Sequence, residues 1–199
     1  KRLDFKGEYF NVRDFKLSFE NEFNIPIWIA SLGPKNLELT GEIADGWYPI
    51  WAPKSKFGDL MDPINKGFEK AGKNREDFTV APFLISCTSE KPDLTTKLAQ
   101  KHIAYYIGKM GSFYFELANR MGYSVEAKNI RNTYNQDREK SASFVSESML
   151  QNLTITGSIE NAQQNMKEWE AITDIPLIAL PYKTPPEIAF ETIQALAPK

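Results

Sequence analysis

The sequence is poor in the residues that build metal centres and disulfide frameworks, with one cysteine, Cys87, and one histidine, His102. A single thiol forms no disulfide within a chain, and these two residues cannot complete the ligand set of a structural zinc site. We therefore predict a protein without a metal site that resides in the cytoplasm. Catalysis of the serine–histidine type would have only one base available.

Charge of one sign and long apolar runs are also scarce. The sequence has 24 Lys and Arg residues and 26 Asp and Glu residues, so its net charge is −2. This balance predicts neither a basic surface for binding nucleic acid nor a polybasic patch for binding a membrane. No apolar run approaches the ~18 residues of a transmembrane helix. Residues 1–199, 42% of them hydrophobic, are enough for the core of one domain. The chain begins at Lys1 without a visible signal peptide, which suggests a piece of a longer protein.

Four short apolar runs lack the polar alternation of a half-exposed strand. Such runs are typical of parallel strands buried on both faces, and helical patterns separate them. Before the first run, aromatic and polar residues alternate and predict a hairpin or two extended arms. The predicted segments are the arms at 1–23, strands at 25–31, 46–51, 78–87 and 175–180, and helices at 34–44, 56–71, 159–171 and 186–196.

Residues 93–150 are predicted to be almost entirely helical, with breaks at Gly108, Gly111 and Gly122. The stretch is far longer than the connection that one βα unit needs, so we interpret it as an inserted group of helices. The alternation of strands and helices predicts a parallel α/β sheet with right-handed crossovers. Four strands are too few to close an eight-stranded barrel.

The most informative stretch runs from Ile27 to Gly46. A buried strand leads into a turn at residues 31–33, and a helix begins at Pro34. The free amides of the first helical turn, the positive end of the helix dipole and Lys35 together predict a cradle for an anion or a phosphate. Gly33 would allow the ligand to approach the backbone. The alternative is an ordinary βα turn in which this glycine only suits the bend.

This Ser-Leu-Gly-Pro-Lys … Gly-Glu-Ile-Ala-Asp-Gly run resembles the luciferase-like monooxygenase superfamily, especially the branch that uses the deazaflavin coenzyme F420 and includes methylenetetrahydromethanopterin reductases. Residues 6–10, 113–123 and 157–161 are similar to further segments of that branch. The resemblance implies the C-terminal half, strands five to eight, of a TIM (β/α)8 barrel with a helical insertion at about 93–150. It also implies that the N-terminal half acts as a partner and that the protein is a homo-oligomer.

The same resemblance implies a site at the C-terminal ends of the strands, with a coenzyme cradle after the first strand and an aromatic substrate pocket after the second. The pocket disfavours a sugar phosphate. No catalytic residue is identified, because the family's first four strands usually supply the acid and base groups. The implied contacts are Ser31, Leu32, Gly33, Lys35 and Asn36 for the coenzyme and Tyr48, Ile50 and Trp51 for the substrate.

The expected activity of the intact barrel is hydride transfer between the deazaflavin and a small organic or pterin-type substrate, with this fragment alone inactive. One alternative is an FMN-dependent monooxygenase of the same fold, and another is a non-catalytic half-barrel for binding or assembly. Among other candidates, the pattern favours a packed or surface His102 over a catalytic one and an unreactive Cys87 over a reactive thiol. The aromatic cluster Tyr105–Phe115 is expected to be core, or else the wall of a substrate funnel.

Overall fold

The computed structural model describes residues 2–19 and 23–198, so residue 1 and residues 20–22 of the predicted arms lie outside the described residues. Strands and helices alternate through most of the chain. The strands are β1 (Leu3–Lys6), β2 (Asn11–Phe15), β3 (Trp28–Ile29), β4 (Gly46–Trp47), β5 (Thr79–Val80), β6 (Phe83–Thr88), β7 (Thr154–Gly157) and β8 (Leu177–Ala179). The helices are α1 (Pro34–Ile43), α2 (Phe57–Ala71), α3 (Pro92–Lys109), α4 (Phe113–Arg120), α5 (Ser124–Thr133), α6 (Arg138–Ala142), α7 (Glu147–Leu153), α8 (Ile159–Glu170) and α9 (Pro186–Leu196).

The first two strands form the predicted hairpin. β1 and β2 pair antiparallel, with Phe5 opposite Val12, and the Gly7 amide closes the turn on the Phe10 carbonyl at 2.8 Å. The hairpin carries large apolar side chains that the described residues leave exposed, among them Phe5 and Phe10. It therefore projects from the body of the chain as an apolar arm.

The remaining strands are parallel, as the sequence predicts. β3, β4 and β5 form one sheet, β7, β6 and β8 form a second, and a parallel bridge between Ile50 and Phe83 joins them. The predicted strand 78–87 is interrupted at Ala81 and Pro82, because proline has no amide to donate to the ladder. The chain nevertheless stays beside β4, since the Phe83 amide donates to the Pro49 carbonyl at 2.7 Å.

One strand was not predicted. The sequence pattern assigns no strand between residues 150 and 159, yet β7 lies there and pairs with residues 85–88 of β6. β7 follows α7 directly. It pairs with β6 on the edge where the chain after β4 makes its last contact, the bridge from Ile50 to Phe83. Four residues ending in Gly157 are too short a pattern to separate a strand from a turn, so only the pairing with β6 decides the conformation.

The main core lies between the sheet and the outer helices. Trp47 is fully buried, its ring packs on Phe57, and Phe57 in turn meets Trp169 edge-on at 5.3 Å between ring centroids. On the opposite face of the sheet, Tyr48 packs edge-on against Phe83, and both side chains remain half-buried. The outer face is thus a closed core, while the inner face keeps partly exposed aromatic side chains.

The stretch predicted as an inserted group of helices contains five helices, α3 to α7. Their apolar side chains form a second core, against which Leu32, Ile50 and Trp51 pack. These three residues follow β3 and β4, so this second core lies at the C-terminal ends of those strands. Gly111 and Gly122 do break the helices, with φ of 72° and 98°.

The prediction of a break at Gly108 is wrong. Gly108 lies inside α3, and a Cβ there would overlap the ring of Tyr134. The absence of a side chain at Gly108 lets α3 approach the end of α5 closely, and no turn depends on this residue.

The parallel array does not close on itself within the described residues. β3 pairs with β4 alone, and β8 pairs with β6 alone. Trp28 of β3, at the open edge, lies over Gly46 on the inner face and keeps 37% of its surface exposed. In the part of the chain that the structure describes, no helix is long and apolar enough to cross a membrane.

Candidate functional site

The turn between β3 and α1 holds the predicted coenzyme cradle. Gly33 is the N-terminal cap of α1 in an extended conformation, with φ of −90°, and no side chain caps the helix. A Cβ added at Gly33 would meet no atom within 4 Å. Lys35 and Asn36 are exposed, and Lys35 forms no ion pair with any described residue. The end of this helix is therefore open, positively polarised and accessible to a ligand.

The hydroxyl of Ser31 does not take part in this opening. Ser31 is 3% exposed, and its Oγ lies 2.8 Å from Oγ1 of the buried Thr40. Thr40 donates to the Asn36 carbonyl at 2.6 Å, so the Ser31 hydroxyl is the donor in the bond to Thr40. The expected contact of this hydroxyl with an anion is thus not supported, since its proton is already engaged inside the turn.

The backbone of Ser31 is fixed from the sheet as well. The indole Nε1 of Trp47 donates to the Ser31 carbonyl at 2.8 Å. Leu32 beside it is half-buried and packs against both apolar cores. The Ser31 hydroxyl and carbonyl are therefore both engaged within the protein, while Gly33, Lys35 and Asn36 lie at the accessible end of the helix.

The predicted substrate residues divide between two environments. Tyr48 is half-buried on the inner face of the sheet, and Ile50 is half-buried beside the helical core. Trp51 is 3% exposed and packs on Tyr106 and Tyr114, with ring centroids 5.7 and 5.1 Å away. Trp51 is thus a core residue of the helical layer, and only Tyr48 and Ile50 keep accessible surface.

Trp51 has two unusual features for a core residue. Its φ of 60° lies in the left-handed region, which costs a non-glycine residue about 1–3 kcal/mol. Its Nε1 is buried and has no hydrogen-bond partner among the described residues. The sequence contains no signal for either feature, because both follow from the path of the chain as it leaves β4.

The aromatic cluster of the helical layer includes the single histidine. His102 stacks on Tyr106 with 4.8 Å between ring centroids, and its Nε2 is buried without a partner among the described residues. Burial lowers the pKa of His102 to about 4, so the ring is neutral near pH 7. The half-buried ring, stacked on Tyr106, thus occupies a packed position, as the sequence favours. In the same cluster, Tyr105 and Phe113 are exposed while Tyr106, Tyr114 and Phe115 are partly buried.

Cys87 is unreactive by its surroundings. It is fully buried in β6. Burial raises the pKa of its thiol to about 11, although a hydrogen bond with Thr184 offsets part of this rise. Because the thiolate is the nucleophilic form, full burial and a raised pKa both favour the unreactive thiol near neutral pH. The described residues also contain no group of three or more acidic, histidine or cysteine side chains that could hold a metal.

Comparison with known proteins gives the family. The model of the luciferase-like monooxygenase family matches residues 1–174. The chain belongs to this family. Its relatives include a protein of Mycobacterium tuberculosis assigned as a coenzyme F420-dependent oxidoreductase, 28% identical over 156 residues, which cover 74% of this chain and 45% of the relative.

Two further proteins of the family resemble the chain. The 5,10-methylenetetrahydromethanopterin reductase of Archaeoglobus fulgidus is 26% identical over 174 residues, 84% of this chain and 51% of that protein. The structure of the coenzyme F420-dependent tetrahydromethanopterin reductase of Methanopyrus kandleri superposes with a TM-score of 0.77 at 18% identity, covering 96% of this chain and 55% of that one. The chain thus has the α/β fold of the luciferase-like TIM barrels and spans about half the length of these relatives.

Proposed function

We propose that this chain contributes the coenzyme-binding turn to an oxidoreductase that transfers hydride between coenzyme F420 and a small organic or pterin-type substrate. The single observation that carries the proposal is the open N-terminus of α1, with a clear approach at Gly33 and a Lys35 beside it that forms no ion pair with any described residue. The relative from Mycobacterium tuberculosis, which is named for coenzyme F420, supports the choice of this coenzyme.

A phosphate or another anionic group fits this turn. The amides of Lys35 and Asn36 lie in the first helical turn, where helical geometry provides no acceptor for them, and Pro34 has no amide to add. Lys35 supplies the charge, and Gly33 supplies the clearance. Ser31, Thr40 and Trp47 hold the turn rather than contact the ligand.

When bound, the deazaflavin ring would supply the hydride or accept it, and the residues of this chain would orient the coenzyme and shape the substrate side. Tyr48 and Ile50 are the accessible candidates for that side, because both follow β4 and keep exposed surface. Trp51 would act through packing against Tyr106 and Tyr114 and so fix the loop that leaves β4.

The remaining half of a barrel is the partner that this proposal requires. The free edge of β3 could pair with a further parallel strand, and the half-exposed Trp28 and Tyr48 on the inner face could be covered by its side chains. An open sheet edge next to exposed aromatic residues is otherwise a surface prone to aggregation. The complete activity would belong to the closed barrel.

The test is a titration of the chain with coenzyme F420, followed by the fluorescence of the deazaflavin, with FMN and inorganic phosphate as competitors. Gly33→Val should block the approach while the fold is kept, because the extended φ of Gly33 suits any residue. Lys35→Ala should weaken binding about five- to tenfold, and more so at low salt. Lys128→Ala, which removes an exposed lysine of α5, is the matched control.

Two results would contradict the proposal. If Gly33→Val binds coenzyme F420 as tightly as the unmodified chain, the turn is not the coenzyme site. If FMN binds at this turn and coenzyme F420 does not, the FMN-dependent alternative replaces the deazaflavin one.

A further inference from the structure

A polar cavity of about 570 Å³ lies between α3, α7 and α8 and over β7. It shares no lining residue with the turn of Ser31–Asn36 or with Tyr48, Ile50 and Trp51. The cavity is therefore distinct from the proposed coenzyme site. Its volume falls in the range of about 300–1,000 Å³ that small-molecule sites occupy.

One wall of the cavity is a stripe of polar side chains on α8, three amides and one carboxylate. Asn161, Gln164, Asn165 and Glu168 are spaced three and four residues apart, so they share one face of this helix. On a surface helix such a stripe normally faces bulk water. Here Asn165 is half-buried and is held by Lys54 and by the Thr154 carbonyl, while Asn161 and Gln164 lie exposed at the rim of the cavity.

The opposite wall and the floor have unused hydrogen-bonding capacity. Gln100 of α3 uses its Nε2 on the Val145 carbonyl at 3.3 Å, which leaves its Oε1 free among the described residues. On the floor, the Oγ1 of Thr156 in β7 is buried and has no partner there. A buried hydroxyl without a partner costs about 1–3 kcal/mol. Because this oxygen lies beneath the cavity surface, a ligand regains that energy only by a small shift of the floor that exposes it.

The charges around the cavity exclude an anionic ligand. Lys54, the only cation among its lining residues, donates to Asn165 Oδ1 at 2.7 Å and forms an ion pair with Glu168. Lys54 also lowers the pKa of Glu168, which keeps that carboxylate charged. Glu147 adds a second carboxylate to the lining. At the N-terminus of α8 the Ser158 hydroxyl already accepts from the Asn161 amide, and the carboxylate of Glu160 in the first turn opposes an anion there.

We propose that this cavity binds a neutral polyhydroxylated ligand of monosaccharide size. Each hydroxyl of such a ligand can donate and accept, which matches a lining of amide and threonine side chains. Neutrality matches a lining whose single cation is already paired. The proposal does not depend on the coenzyme site, because the two regions share no residue.

The test is a two-dimensional NMR titration of the ¹⁵N-labelled chain with D-glucose and with sorbitol, each to 100 mM, and with inorganic phosphate. We expect saturable shifts for one or both polyols at the amides of Thr156, Asn161 and Gln164, and none for phosphate. Gln164→Ala and Thr156→Val should each weaken polyol binding about tenfold or more. Gln194→Ala, an exposed glutamine of α9 outside the cavity, should leave it unchanged.

Three outcomes overturn the proposal. Polyol shifts that stay linear and scatter over the surface show that the cavity holds only water. Equal affinities of Gln164→Ala, Thr156→Val and the unmodified chain place the binding elsewhere. Saturable phosphate shifts at the same amides show an anion site, which contradicts the charge argument.

Discussion

The hydroxyl pair of Ser31 and Thr40 can be tested with nearly isosteric substitutions. Thr40 is fully buried. Its hydroxyl accepts a hydrogen bond from the Ser31 hydroxyl at 2.8 Å and donates one to the Asn36 carbonyl at 2.6 Å. Thr40→Val keeps the shape of the side chain and removes both bonds. Ser31→Ala removes only the first bond and leaves Thr40 satisfied by Asn36.

The two substitutions should differ in cost for a physical reason. In Thr40→Val the Ser31 donor stays buried without a partner, so we expect a loss of about 1–3 kcal/mol in the free energy of unfolding. In Ser31→Ala no donor is stranded, and the loss should be about 0.5–1.5 kcal/mol. The double variant has neither hydroxyl, so its loss should fall short of the sum by about 1 kcal/mol.

The measurement is urea unfolding of the single and double variants, with the free energy extrapolated to water. Thr133→Val is the control, because the Thr133 hydroxyl in α5 has no hydrogen bond to any described residue. If the two losses add to within about 0.3 kcal/mol, the hydroxyls do not interact and the inward position of Ser31 is refuted. The same variants bear on the site, since Ser31→Ala should lower coenzyme affinity less than Lys35→Ala does.

Two further predictions concern close packing and pH. A Cβ on Gly67 would overlap the Glu38 carbonyl oxygen where α2 crosses α1, so Gly67→Ala should lower stability by about 1–3 kcal/mol or more in urea unfolding. Gly58→Ala, in the same helix but with no atom within 4 Å of the added Cβ, should leave stability unchanged or raise it by up to about 1 kcal/mol. Burial lowers the pKa of His102 from 6.5 to about 4, so the unfolded chain binds the proton first as pH falls. Stability should therefore fall between pH 6.5 and 4 by about 1–3 kcal/mol more than it does in His102→Gln.

Each of these two predictions has a contradicting result. Equal stabilities of Gly67→Ala and Gly58→Ala would mean that the helices do not cross as closely as the structure shows. Parallel pH profiles for the unmodified chain and His102→Gln, measured by urea midpoints, would mean that the ring is protonated as readily in the folded chain as in the unfolded one.

Apart from β7, the sequence by itself determines the order of the strands and helices and the parallel arrangement of the strands after the hairpin. Runs such as Ile25–Ala30 lack polar alternation, and Pro34 after Gly33 marks the start of α1, so both features depend on residues close together in the chain. The turn that carries the proposed coenzyme site could be located in the same way. Its glycine, proline and lysine are neighbours in sequence, and their backbone conformation follows from their chemistry.

The tertiary structure alone decides which side chains of that region are free. Ser31 points to Thr40 and Trp51 packs on Tyr114, and each contact joins residues that the sequence gives no reason to pair. The same holds for β7, whose conformation depends on the edge of β6, and for the polar cavity, whose walls come from three helices. A local pattern sets backbone conformation, whereas the direction of a side chain and the shape of a cavity depend on which distant segments pack against it.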